Sequence, residues 1–226
     1  MSDFVELVSP LDTLPGIRAA FLTRVPGINV DADREEALKR LRPAHDAAIS
    51  ELGFATPIVT AEQVHGNIVA SVNGPLPAAV NGADGLATAT PGVTLGIYVA
   101  DCAAVFLADR HRRAIALVHS GRKGTEQNIV GEAVRTLRTR YSIDPSDLVV
   151  VVAPCIRPPH YEVDFAAAIA AQVRNEGICK FYDAGVCTAS NPERYYSYRS
   201  EKGRTGRMLA LLAIDALATS IGKTEA

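Results

Sequence analysis

The sequence predicts an α+β protein, a mixed α/β fold in a single domain spanning residues 1–226. Three observations carry this. Strand-like runs gather in the middle third, at 93–100, 104–108 and 114–118, while helical periodicity lies towards the ends and after His119. That order does not repeat as a βαβα series, so a doubly wound parallel sheet is disfavoured. No repeat, low-complexity tract or linker divides the chain, and 48% hydrophobic with 21% charged residues is ordinary for one globular core.

Taken in order, residues 19–23 read as a short strand entering a turn at Pro26-Gly27. From 33 to 52 Ala37, Leu38, Leu41, Ala44, Ala48, Ile49 and Leu52 share one helical side, and Pro43 predicts a kink or two shorter helices. Residues 57–64 and 68–72 read as two strands joined by a tight turn at His65-Gly66-Asn67. The Pro/Gly-rich stretch 73–85 reads as a long loop. After the three central strands, Gly124-Thr125 opens a helix burying Ile129, Val130, Ala133, Val134 and Leu137, with Thr125 as its cap. Residues 148–153 are almost purely β-branched, as in a strand covered on both faces. Asp164 caps an alanine-rich helix ending near Gly177. A last long helix is expected from Gly206, carrying Met208, Leu209, Leu211, Leu212, Ile214, Leu217 and Ile221 around so much of its circumference that it is buried.

The net charge of −2 points to neither nucleic acid nor an anionic membrane, and the basic cluster Arg110 to Arg113 reads as a solvated turn. The first residues lack a basic start and an apolar run, and no window has the length of a membrane span. Cys102, Cys155, Cys179 and Cys187 form no CxxC pair, so reduced thiols in the cytoplasm are expected. The absence of a heptad seam argues against an obligate protein partner.

The chemistry-bearing stretch is 99–125, where Asp101-Cys102 ends one apolar run and His119 ends the next. Such a pair is a packed-core accident, a thiol nucleophile with its base, or two ligands of a metal. His65, in Gln63-Val64-His65-Gly66, also stands where a strand should end. One thiolate and two imidazoles are an ordinary zinc donor set, and three protein ligands leave a fourth position open for water or substrate. Asp101 points away from Cys102 if the strand continues, as an orienting group or a turn former. Gln63 is placed to exchange hydrogen bonds with a substrate.

Read together, "TAEQVHG", "GADGLAT", "ADCAAVFLAD", "ALVHSGRKGT", "APCI", "YEV", "CT", "YSYR" and "GRTGRM" resemble, in order and spacing, the family labelled multicopper polyphenol oxidoreductase or laccase-domain proteins. Its members are also described as purine nucleoside phosphorylases and as a peptidoglycan editing factor. The resemblance implies a layered α/β/β/α sandwich and one zinc ion on His65, Cys102 and His119. It also implies phosphorolysis of purine nucleosides (adenosine, inosine, guanosine or methylthioadenosine), with adenosine deamination as a companion activity. The partners are then a small nucleoside and phosphate. Arg24, Arg199 and Arg207 lie in matching segments and are the candidates for the phosphate, since a guanidinium fork pairs with its oxygens. Arg122 and Lys123 are alternatives nearer the metal.

Two other readings stay open: a cysteine hydrolase or amidase, with Cys102 as nucleophile and His119 as base, acting on a cell-wall precursor, and a non-catalytic metal-binding module. Five histidines are too few for a multicopper site of the usual kind, so copper is expected only as an adventitious replacement for zinc. The chain departs from the family at His119-Ser120-Gly121-Arg122-Lys123-Gly124, where relatives carry a tryptophan that this chain has nowhere. It departs again at Ala153-Pro154-Cys155, and between Val173 and Cys187 it looks shortened.

Overall fold

Alternation with a period of two builds the centre of the molecule. In the computed structural model, which describes residues 2–216, successive residues of the strand Ala103–Asp109 turn to opposite sides. Ala104, Phe106 and Ala108 enter one apolar cluster, and Ala103, Val105 and Leu107 enter another. A strand buried on both faces needs a layer on each side.

The chain runs β1 (Val5–Leu7), β2 (Ile17–Leu22), α1 (Arg34–Glu51), β3 (Val59–Thr60), β4 (Val69–Ser71), β5 (Gly85–Thr88), β6 (Thr94–Val99), β7 (Ala103–Asp109) and β8 (Ile115–Ser120). It continues through α2 (Arg122–Glu126), α3 (Ile129–Tyr141), β9 (Leu148–Val152), α4 (Phe165–Asn175), β10 (Lys180–Asp183) and β11 (Met208–Ile214). One sheet has the order β1-β2-β11-β6-β3, and the other β10-β9-β7-β8-β5-β4. Both are mixed: β3 joins β6 in parallel, as do β10 with β9 and β4 with β5, while the other pairs are antiparallel.

The facing sides of the sheets share one core, with Phe21, Ile97 and Leu212 from the first opposite Phe106, Leu117 and Val151 from the second. Outside the first sheet, Ala48 and Ile49 of α1 cover Leu22, Leu209 and Leu211. Outside the second, α3 and α4 lay Val130, Val134, Ile169 and Val173 on Val105, Val118 and Val150. The layers are therefore helix, sheet, sheet, helix, the sandwich that the resemblance implied.

Several local expectations need correction. The segment after Gly206 is a strand, not a helix: in β11 Met208, Ala210, Leu212 and Ile214 face the inter-sheet core while Leu209, Leu211 and Ala213 face α1. Both faces are buried, so no polar residue marks the period, and an all-apolar run of helix formers imitates a buried helix. Leu217 and Ile221 of that expected helix lie outside the described residues. The turn His65-Gly66-Asn67 does not close a hairpin, because β3 and β4 belong to different sheets and the segment crosses between them. Pro43 sits on the exposed side of α1, which runs unbroken from Arg34 to Glu51, so the carbonyl it leaves unpaired is offered to water. Thr125 does not cap the following helix: it lies inside α2 and its hydroxyl donates to the Gly121 carbonyl at 2.8 Å. Asn128 caps α3 instead, its side chain accepting from Gly131 N. The Asp164 cap holds, accepting from Ala167 N at 3.0 Å.

Candidate metal centre and its cavity

The second sheet brings the three expected ligands together. β7 and β8 are antiparallel with Ala103 opposite Ser120 and Ala104 opposite His119, so Cys102, one residue before β7, arrives beside the end of β8. His65 comes from the crossing segment. The ligand atoms of His65, Cys102 and His119 lie within 4.8 Å of one another, and the two imidazole rings meet edge-on with centroids 4.8 Å apart. His119 is buried, Cys102 partly so, and His65 is exposed, which leaves one side of the group open.

Asp84 organises the trio, and sequence reading did not single it out, although it stands inside the quoted GADGLAT. It directly precedes β5, whose pairing with β8 sets it against His119, and His119 N donates to the Asp84 carbonyl at 2.7 Å. The Asp84 carboxylate is fully buried and meets His119 Nδ1 at 2.8 Å, which leaves Nε2 for a ligand. The same carboxylate accepts from His65 N at 2.9 Å and Gly66 N at 2.7 Å, so one group orients one imidazole and anchors the loop bearing the other. Burial opposes its charge, but the bonds from His119 and Gly66 hold its pKa below the usual carboxylate value. Its signal in the sequence was an acid just before a strand that pairs with the histidine strand.

Backbone strain gathers here as well. Gln63, His65 and Asp101 have φ of 66°, 63° and 82°, a region that non-glycine residues seldom occupy. Gly121 is required for space: a Cβ there would stand 2.9 Å from Cys102 Sγ and 3.1 Å from His65 Cδ2.

The electrostatics favour a charged sulfur. Burial alone would raise the Cys102 pKa, but hydrogen bonding from His119 and His65 outweighs it and brings the thiol to about 6. Burial likewise works against a charged His119, and the bonds to Asp84 and Cys102 overturn it to about 9. Cys155 shows the contrast, since burial without such partners pushes its thiol up to about 12. The sulfur is thus prepared as a thiolate, the form that binds a metal. Donor types, proximity, the oriented Nε2 and the cramped space at Gly121 all fit a single borderline-soft ion such as zinc.

A cavity of about 590 Å³ opens from this group, within the ordinary range for a small-molecule site. Tyr98, Tyr161, Phe165 and Tyr198 give it aromatic walls, and Arg34, Arg122, Arg199, Lys202 and Arg207 bring positive charge. Arg34, Lys202 and the four aromatic residues were not foreseen, although Tyr161 and Tyr198 stand inside the quoted YEV and YSYR.

The other expected site residues divide. Arg199 and Arg207 line the cavity; Arg24 does not. Arg24 lies over the Tyr196 ring at 4.3 Å, forms an ion pair with Glu201 at 2.8 Å and donates to the Tyr195 carbonyl, so its fork is spent on structure. Gln63 borders the cavity, but its amide is occupied by the backbone of Tyr98, donating to the carbonyl and accepting from the N–H at 3.0 Å. It holds the crossing segment to β6. Asp101 borders the cavity too, with Oδ1 accepting from Thr188 Oγ1 at 2.7 Å and Oδ2 from Arg199 N at 2.7 Å and Ser197 Oγ at 3.1 Å. These bonds tie the Tyr198-Arg199 loop next to Cys102.

A family model described as Multi-copper polyphenol oxidoreductase laccase matches residues 23–165 and 162–215. The chain belongs to this family. A Geobacillus stearothermophilus relative named Purine nucleoside phosphorylase YlmD is 28% identical over 92% of this chain and 90% of its own. A Deinococcus radiodurans relative named Purine nucleoside phosphorylase is 30% identical over 88% and 87%. Among solved structures, Bacillus licheniformis YfiH superposes with a TM-score of 0.83 at 19% identity, covering 95% of this chain and 97% of that one. Geobacillus stearothermophilus YlmD superposes at 0.75 with 26% identity, covering 89% and 93%.

The family's label names several coppers, yet the described residues hold one group of three or more His, Cys, Asp or Glu side chains suited to a metal. The other histidines are elsewhere: His45 is buried in α1, His111 is paired with Asp147, and His160 is beside Cys187. No helix among the described residues is long and apolar enough to cross a membrane.

Proposed function

We propose that the chain is a zinc-dependent purine nucleoside phosphorylase, with adenosine deamination as a second activity of the same pocket. The observation that carries the reading is an oriented His65–Cys102–His119 group opening into a cavity that is aromatic on its walls and cationic at its rim. The names of the relatives point to the same reaction class.

His65, Cys102 and His119 would hold the ion. Bound zinc supplies a Lewis acid that polarises an oxygen of phosphate, or acidifies a water where hydrolytic deamination is the outcome. The chain's own residues do the rest. Tyr161, Phe165 and Tyr198 offer faces on which a purine stacks, and this burial excludes water from the ribose carbon under attack. Cavity arginines pair with phosphate through planar forks. Asp101 keeps the loop bearing Tyr198 and Arg199 in place from beneath.

The test is phosphate-dependent release of hypoxanthine from inosine by the zinc-loaded protein. Activity that needs phosphate, disappears on chelation and returns with zinc supports the reading. Inosine left intact at millimolar phosphate contradicts it.

One observation favours a second reading. A thiol at about 6 flanked by imidazoles is also an activated nucleophile, with His119 as base, suited to cutting an amide. Full hydrolytic activity after exhaustive chelation would favour it over the metal enzyme.

A further inference from the structure

Cations around the cavity are not equivalent. Arg122 is paired with Glu126 at 3.1 Å and Glu162 at 3.3 Å, and Arg199 reaches Glu162 at 3.8 Å, so these two are partly neutralised. Arg34 and Arg207 line the same cavity, and neither has a carboxylate partner among the described residues. Asp101 is the acid of the cavity lining, and both its oxygens are already held by Thr188, Ser197 and Arg199.

Arg207 is also held in place. One terminal nitrogen donates to the Thr205 and Gly206 carbonyls at 2.9 and 2.8 Å, and the guanidinium carbon lies 5.7 Å from the Tyr198 ring centre. The backbone behind it is fixed, because a Cβ on Gly206 would come within 2.6 Å of the Tyr196 ring, and Val25 N donates to the hydroxyl of that ring at 3.1 Å. Arg34, the first residue of α1, brings a second guanidinium to the same cavity. Burial and the like charge of Arg34 both push the Arg207 pKa down. Asp101 and Cys102 offset this only in part, and Asp101 already has both oxygens engaged, so the half-buried Arg207 guanidinium favours a further anion in the cavity.

We propose that Arg34 and Arg207 together form the seat of a phosphate dianion in this cavity, with Arg207 the fixed half and Arg34 the half that closes on it. The assignment rests on the phosphorolytic reading for the identity of the anion, and it excludes Arg24 from that role. The shared chemistry is a phosphate group, either free or carried on the nucleoside as a 5′-monophosphate.

The experiment titrates the zinc-loaded protein calorimetrically, at constant ionic strength, with inorganic phosphate, inosine and inosine 5′-monophosphate in turn. Parent, Arg34→Gln, Arg207→Gln and Arg207→Lys are compared, with Lys39→Gln on the exposed face of α1 as a control for net charge. Thermal unfolding confirms that each variant is folded. Free phosphate as occupant predicts that either Gln variant weakens phosphate binding at least tenfold, that inosine binding moves less than twofold, and that Lys39→Gln changes neither. It also predicts a rise in the KM for phosphate with the KM for inosine unchanged. If the monophosphate alone binds in an Arg34- and Arg207-dependent way, the seat stands and its anion is the substrate's own, which counts against phosphorolysis with free phosphate. Unchanged affinity for both phosphates in the Gln variants overturns the seat. If phosphorolysis continues in those variants with an unchanged KM for phosphate, the seat fails while the proposed function survives.

Discussion

Replacing Asp84 with asparagine tests the physical core of the proposed metal centre, because it changes charge without changing shape. In the parent, Oδ1 receives both His119 Nδ1 and His65 N, and Oδ2 receives Gly66 N at 2.7 Å. In Asp84→Asn the Oδ1 acceptor survives, but an NH2 group then faces the Gly66 N–H, donor against donor. The residue is fully buried, so no water relieves the conflict. Leaving one buried donor unsatisfied costs about 1–3 kcal/mol, and loss of charge assistance at His119 adds roughly 1 kcal/mol more. The protein should therefore lose about 2–4 kcal/mol of stability in urea unfolding. Metal affinity should suffer separately, because His119 loses the partner that fixes its tautomer and His65 loses its anchor. Removal of such a partner weakens metal binding about 10–100-fold. Competition with a chromophoric zinc chelator measures this on folded protein. Zinc affinity within twofold of the parent would refute the reasoning.

Other perturbations follow the same logic. Gly121→Ala places a methyl against Cys102 Sγ and His65, so zinc affinity should fall at least about tenfold with little change in fold content, read by chelator competition and circular dichroism. His45 is buried with Nε2 unpartnered, and burial lowers its pKa to about 4. The unfolded chain takes up that proton near 6.5 and the folded one only near 4, so stability is complete above pH 6.5 and about 3 kcal/mol is lost on acidification to 4. Urea titrations of parent and His45→Gln across that window should show this part of the slope vanish in the variant. Phe106, fully buried between the sheets, should cost about 3–5 kcal/mol as Phe106→Ala, and a loss under 1 kcal/mol would contradict the assigned core.

Much of the candidate site could be read from the sequence because its three donor residues stand at or near the borders of apolar runs. The run that Cys102 follows, β6, lies in the other sheet; it is the antiparallel pairing of β7, which Cys102 directly precedes, with β8 that brings Cys102 and His119 together. Asp84 escaped because its strand, Gly85–Thr88, is short, starts with glycine and adjoins a Pro/Gly-rich stretch. Gln63 was placed near substrate because its amide suits hydrogen bonding, and Arg24 because it lies in a segment matching the family and its fork suits phosphate. The structure shows that a backbone segment and an ion pair claim them first. The C-terminal strand illustrates the limit of periodicity: β11 has a core on each face, so alternation leaves no polar trace and only the partner strands β2 and β6 fix its conformation. The cavity arginines illustrate another, since Arg34 and Arg207 are far apart in the chain and come to line one cavity only in the folded molecule.

Metal content of the purified protein bears most directly on all of this. Elemental analysis after gel filtration should find about one zinc per chain in the parent and almost none in Cys102→Ala or in the His65→Ala, His119→Ala double variant, with all three still folded. A parent that cannot retain zinc, or variants that retain as much as the parent, would contradict the account.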